Sequence, residues 1–101
     1  MSYRDMDVYR KSFRLALEMH HFSLLLPQYL RYDLSDQLRR ASRSVPSNIA
    51  EGAARQGTKD AIQFFVIARA SLSELDTQLE IVSRLHFINK DNVEKIQTYF
   101  I

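Results

Sequence analysis

The residues best equipped for chemistry lie between Leu38 and Gly52: Arg39, Arg40 and Arg43, followed by Pro46, Ser47, Asn48, Glu51 and Gly52. Arginine suits phosphate because its planar fork offers paired hydrogen bonds in fixed geometry. On a helix whose apolar stripe is Leu38, Ala41, Val45 and Ile49, Arg40 and Arg43 share the opposite face, and Arg39 flanks it one turn from Arg43. With Arg55 and Lys59 further along, these side chains are the candidate phosphate contacts. The competing reading is a solvated face whose arginines pair with carboxylates of the next helix (Glu74, Asp76, Glu80) or of a neighbouring chain.

Ser47, Asn48 and Glu51 are the polar members of the same run. One reading makes Asn48 and Glu51 a small polar site. The other has serine and asparagine side chains satisfying carbonyls freed by Pro46, with Glu51 paired to an arginine across an interface. Of His20, His21 and His86, the first two are adjacent and point about 100° apart on a helix, so they cannot grip one metal together, and no His-Glu-x-x-His spacing exists. Ser44, Ser47, Ser71 and Ser73 lack a His-Asp arrangement, and there is no glycine-rich phosphate loop. Glu74 and Glu80 are not at the Glu-x-x-His spacing of di-iron bundles. No catalytic residue, cofactor site or metal site is assigned, and no RNA-binding signature with stacked aromatics stands out.

Charge distribution says more than net charge. The formal +2 and pI near 9.1 are mild, but residues 31–59 carry a local +3 and residues 60–85 a local −2, so one helix is basic and the next acidic. A length of 101 residues with 46% hydrophobic and 26% charged content fits one soluble domain over residues 1–101. The absence of cysteine excludes disulfides and thiolate sites. No apolar run reaches the ~20 residues of a membrane span, so the expectation is a cytoplasmic protein without a membrane segment.

The elements that must position these groups read as helices joined by short loops, since only two glycines and two prolines punctuate the chain. Val8, Ser12, Leu15, Met19, Phe22 and Leu26 draw one stripe down a first helix that Pro27 ends. Asp33 or Ser35 caps the second, whose stripe continues from Leu34 to Gly52 or Ala53 and stops at Gly57. Pro46 lacks the amide that would bond the Ser42 carbonyl, so it either kinks or breaks this helix or starts a new one. The third helix, with Thr58 as N-cap, repeats fours and threes through Ala61, Phe65, Ala68, Leu72, Leu75, Leu79, Val82 and His86. Ile62, Val66, Ile67 and Ile81 widen its apolar face beyond one neighbour. Asn89-Lys90-Asp91-Asn92 starts a fourth helix of about 15 Å, against about 40 Å for the third, which leaves part of the third helix's face uncovered unless a partner covers it.

The run Arg39-Arg40-Ala41 to Ser44-Val45-Pro46-Ser47-Asn48-Ile49-Ala50-Glu51-Gly52 resembles the signature of the 23S rRNA intervening sequence proteins, also called four helix bundle proteins. Asp5-Met6-Asp7-Val8-Tyr9-Arg10-Lys11-Ser12 is similar to that family's opening Asp-Leu-x-Val-Trp-x-Lys-Ala. The stretch from Phe64 to Ile81 is similar to its third helix, so the likeness covers nearly the whole chain. The resemblance implies an all-α, up-and-down four-helix bundle, here with a kinked second helix and a shortened fourth, assembled as a homopentameric ring and encoded by inserts in bacterial 23S rRNA genes. It also implies a distant relationship to the accessory protein of diversity-generating retroelements, which binds a reverse transcriptase and nucleic acid. In the resembling family His20 is often an aromatic, which favours packing, and His86 stands where a helix-ending glycine is usual. The function that follows is a non-enzymatic oligomeric module that binds RNA through the basic face of the second helix. The alternative is a protein-binding scaffold whose arginines serve salt bridges.

Overall fold

Apolar residues recurring every three or four positions give four helices, α1 (Asp7–Ser23), α2 (Asp36–Ala54), α3 (Thr58–Arg84) and α4 (Lys90–Gln97), in an up-and-down bundle of 44 × 21 × 18 Å. This is a computed structural model that describes residues 2–100. Short 3₁₀ turns occupy Tyr3–Asp5, Gln28–Leu30 and Thr98–Phe100. At 27 residues, or about 40 Å of helix, α3 spans nearly the full long axis. α2 lies between α1 and α3, and the shorter α4 packs against both at the end where they terminate.

The main core sits at that end. Leu15, Met19, Phe22 and Leu26 from α1 and its exit meet Leu38 and Ala41 of α2, Leu75, Leu79 and Val82 of α3, and Val93 and Ile96 of α4. Toward the other end the core thins to Val45, Ile49 and Ala68, with Leu72 packing against both clusters. There the apolar side of α3 opens to solvent: Ile62, Val66 and Ile67 are about half exposed, and Phe65 is 36% exposed. Val8, expected in the α1 stripe, is also exposed, because it faces an open notch bordered by Val45, Ile49 and Phe65 instead of a fourth helix.

Several expected boundaries shift for local reasons. α1 stops at Ser23, four residues before Pro27, because the amides of Leu24, Leu25 and Leu26 bond three residues back and tighten the chain into a turn. Neither Asp33 nor Ser35 caps α2. A π-turn over Arg31–Ser35 runs straight into it, the Ser35 hydroxyl donates to the Ser23 carbonyl at 3.3 Å, and Asp33 accepts from Gln37. α2 ends at Ala54 with Arg55 extended, and Gly57 is the N-cap of α3 rather than a stop, which places Thr58 inside the first turn. Asn89 does cap α4, its Oδ1 accepting from the Asn92 amide at 2.9 Å. His86 is exposed and beyond the end of α3, not in its stripe, and its φ of 59° is the left-handed conformation that a helix-ending glycine adopts most easily.

α2 runs unbroken through Pro46, so the proline starts no new helix. The polar residues beside it are internal connectors. Asn48 donates to the Ser44 carbonyl at 2.7 Å and to its hydroxyl at 2.9 Å, while the Ser44 and Ser71 hydroxyls bond at 2.8 Å across the α2–α3 contact. Asn48 therefore serves Ser44 and not the Ser42 carbonyl that Pro46 leaves free. Gly52 is buried where α3 crosses, and an added Cβ would lie 2.8 Å from the Phe65 ring and 3.1 Å from the Ala61 carbonyl.

Candidate nucleic-acid interface

α2 touches one helix on each side, and the 100° step per residue divides its arginines between those sides. Arg39 and Arg43, one turn apart, border a groove between α1 and α2. Arg40 turns the other way, into a polar groove shared with Gln37, Ser44, Ser71 and Glu74. The compact triad expected from the sequence is thus split, with Arg40 near the acidic helix and the other two near α1.

Each arginine meets a different environment. Arg39 is half-buried and its Nη1 donates to the Ser23 hydroxyl at 3.2 Å, which itself donates to the His20 carbonyl at 2.7 Å. Arg40 forms a loose 3.6 Å pair with Asp36. Arg55 pairs with Glu51 at 3.2 Å and covers the Phe64 ring at 4.6 Å. Glu51 therefore pairs with the next turn of its own chain. Lys59 is exposed in the first turn of α3, and Arg55 lies twelve residues beyond Arg43, about 18 Å along the helix. Every ion pair among the described residues joins positions three or four apart, so the expected bridges to Glu74, Asp76 and Glu80 do not form; Glu80 pairs with Arg84. Arg39 and Arg43 take part in none of them.

The α1–α2 groove has a volume of about 430 Å³. Its α1 side carries Tyr9, Phe13 and His20, and its α2 side carries Arg39, Arg43 and Ser47, with Ala16, Ala50 and Pro46 keeping the floor low. No carboxylate is among its lining residues. The Tyr9 and Phe13 rings lie 5.9 Å apart at 38°, and Phe13 is 48% exposed. His20, expected to pack, is exposed beside the groove. Sequence reading passed over Tyr9, Phe13 and His20 as site residues. The available signal was a row at 9, 13 and 20, beside the buried stripe at 12, 15, 19 and 22, that repeats the helical spacing without being needed for the core.

Among the described residues there is no group of three or more side chains able to hold a metal, and no helix is long and apolar enough to cross a membrane.

Comparison with known proteins follows the same architecture. A family model described as 23S rRNA-intervening sequence protein matches residues 4–100. No curated protein matches the chain. Among solved structures, a protein of unknown function from the S23 ribosomal protein family of Bacteroides thetaiotaomicron is similar at 24% identity, with a TM-score of 0.81 over 92% of this chain and 87% of that one. At that identity the likeness shows a shared fold.

Proposed function

Because the chain belongs to the 23S rRNA-intervening sequence protein family, and its helices frame a basic groove, we propose that it is a non-enzymatic, cytoplasmic module that binds RNA through the arginine-bearing side of α2. The observation that carries this reading is the pair Arg39 and Arg43, one turn apart on a groove with no lining carboxylate and, among the described residues, without an ion pair of their own. Guanidinium groups placed so, beside aromatic side chains, fit a phosphate backbone. Arg40, Arg55 and Lys59 are peripheral contacts that add attraction as the strand leaves the groove.

Assembly into a homo-oligomer, a pentameric ring by the family resemblance, would repeat the groove and multiply weak contacts through effective concentration. The half-exposed Ile62, Val66 and Ile67 supply apolar surface for such subunit contacts. That same surface favours the second reading, a scaffold that holds a protein partner on α3.

The test is fluorescence anisotropy of a labelled structured RNA at low and near-physiological salt, with Arg39→Ala and Arg43→Ala measured alongside. Binding should weaken steeply with salt, and each substitution should reduce the log-log slope by about 0.7 to 0.9, with the oligomer unchanged in light scattering. Absence of binding at low salt would overturn the RNA reading, and loss of the oligomer in the arginine variants would move those residues to subunit contacts.

A further inference from the structure

Phe13 has no role in the core: its ring packs on Tyr9 with about half its surface open to water, on the helix that forms one wall of the groove. An exposed aromatic ring on a groove whose lining includes two arginines and no carboxylate is suited to a flat, anion-bearing ligand. We infer that the α1–α2 groove takes unpaired nucleotides, with a base stacked on Phe13 and the phosphates of neighbouring nucleotides on Arg43 and Arg39 further along the groove. This rests on the RNA-binding reading and adds to it the form of RNA that the site selects.

Three features favour a single strand. The lining from Tyr9 to His20 runs about 16 Å along α1, enough for a short strand to pass along it, and its volume of about 430 Å³ lies within the range of pockets that hold a ligand about the size of one nucleotide. The ring can reach a base only if the base is out of a duplex; in a paired helix it would meet the sugar-phosphate edge and gain no stacking. Arg39 is held half-buried by Ser23, so one phosphate contact is already positioned before binding. Charge also disfavours a two-fold contact of groove on groove, since that would set arginines against arginines.

The chain contains no tryptophan, so Phe13→Trp creates a single reporter at the proposed stacking position. The protein would be titrated with a mixed-sequence 12-nucleotide RNA and with the same strand annealed to its complement, reading both tryptophan emission and anisotropy. Expected are quenching with the single strand and not with the duplex, and at least 10-fold tighter binding of the single strand. Phe13→Ala should weaken single-strand binding about 5- to 150-fold, the range for losing one stacked base, and leave duplex binding within about twofold. Leu85→Ala, similarly exposed but at the end of α3 and away from the groove, should change neither. Equal binding of both forms, or tight binding with unquenched Phe13→Trp and no loss in Phe13→Ala, would overturn the stacking proposal while phosphate binding through α2 stood. No binding of either RNA at low salt would remove both readings, leaving the groove to a protein ligand.

Discussion

Replacing Gly52 by alanine tests how closely α2 and α3 approach. The backbone at Gly52 is helical with no positive φ, so conformational freedom does not explain the glycine. Space does. An added Cβ would lie 2.8 Å from Phe65 Cε1, 3.1 Å from its Cδ1 and 3.1 Å from the Ala61 carbonyl oxygen. Alanine in a helix interior gains about 1 kcal/mol over glycine, whereas forcing a methyl into a packed contact costs about 1–3 kcal/mol. The Phe65 ring, 36% exposed, can swing outward at modest cost, but the Ala61 carbonyl belongs to α3 and yields only if the helix moves. The expected net is a loss of about 1 kcal/mol, a fall in Tm of about 4–8 °C for a domain of this size, read by circular dichroism at fixed protein concentration. Gly57→Ala is the steric control, because nothing lies within 4 Å of the Cβ it would gain, and any loss of stability there should be no more than the ~1 kcal/mol cost of alanine at the N-cap of α3. In a Phe65→Ala background the penalty of Gly52→Ala should shrink by at least about 0.5 kcal/mol, the coupling expected of groups in contact. A Gly52→Ala protein that melts higher by the full helix-propensity gain would refute the close approach.

His86→Gly relieves a left-handed backbone that costs other residues about 1–2 kcal/mol, offset in part by the greater freedom of glycine in the unfolded chain; because His86 is exposed, Tm should rise by a few degrees, and no rise would show the conformation to be unstrained. Asn48→Ala removes donations to the Ser44 carbonyl and hydroxyl worth about 1 kcal/mol together, partly offset by alanine's helix preference, while Asn48→Asp sets a carboxylate against that carbonyl and should melt lower still, so the reverse order in thermal melts would contradict the bonding. Gln78 is buried with an unpartnered Oε1, although its amide reaches Glu74 at 3.2 Å. Gln78→Met fills similar volume without that orphaned group and should raise stability in urea titrations by about 1 kcal/mol, whereas a clear loss would mean that the bond to Glu74 outweighs the orphan.

How far the sequence could be read differs from element to element. Ser12, Leu15, Met19 and Phe22 are buried as their spacing required, since the burial of a stripe follows from helical period once some neighbour is present. The same pattern continues through Phe65 on α3, yet that end of the helix is open: periodicity names the apolar face and does not say whether anything covers it. The Asn89 cap was legible because a cap is made within four residues. The start of α2 was not, because the Ser35 hydroxyl is drawn to Ser23, twelve positions away, and a π-turn carries the chain into the helix without the break a cap requires.

The candidate interface divides along the same line. From the residues alone came four helices, a proline and a glycine inside the second, a basic α2 followed by an acidic α3, and the family to which the chain belongs; each is written in local order and needs only the helical repeat or a matching motif. The tertiary structure decided that Arg39 and Arg43 face α1 while Arg40 faces α3, that Ser44 meets Ser71, and that Phe13 lines the same groove as Arg39 and Arg43. A helix fixes the angle of each side chain about its own axis, but which angles face one another depends on how three or four such axes pack, and that is settled by the whole buried surface at once.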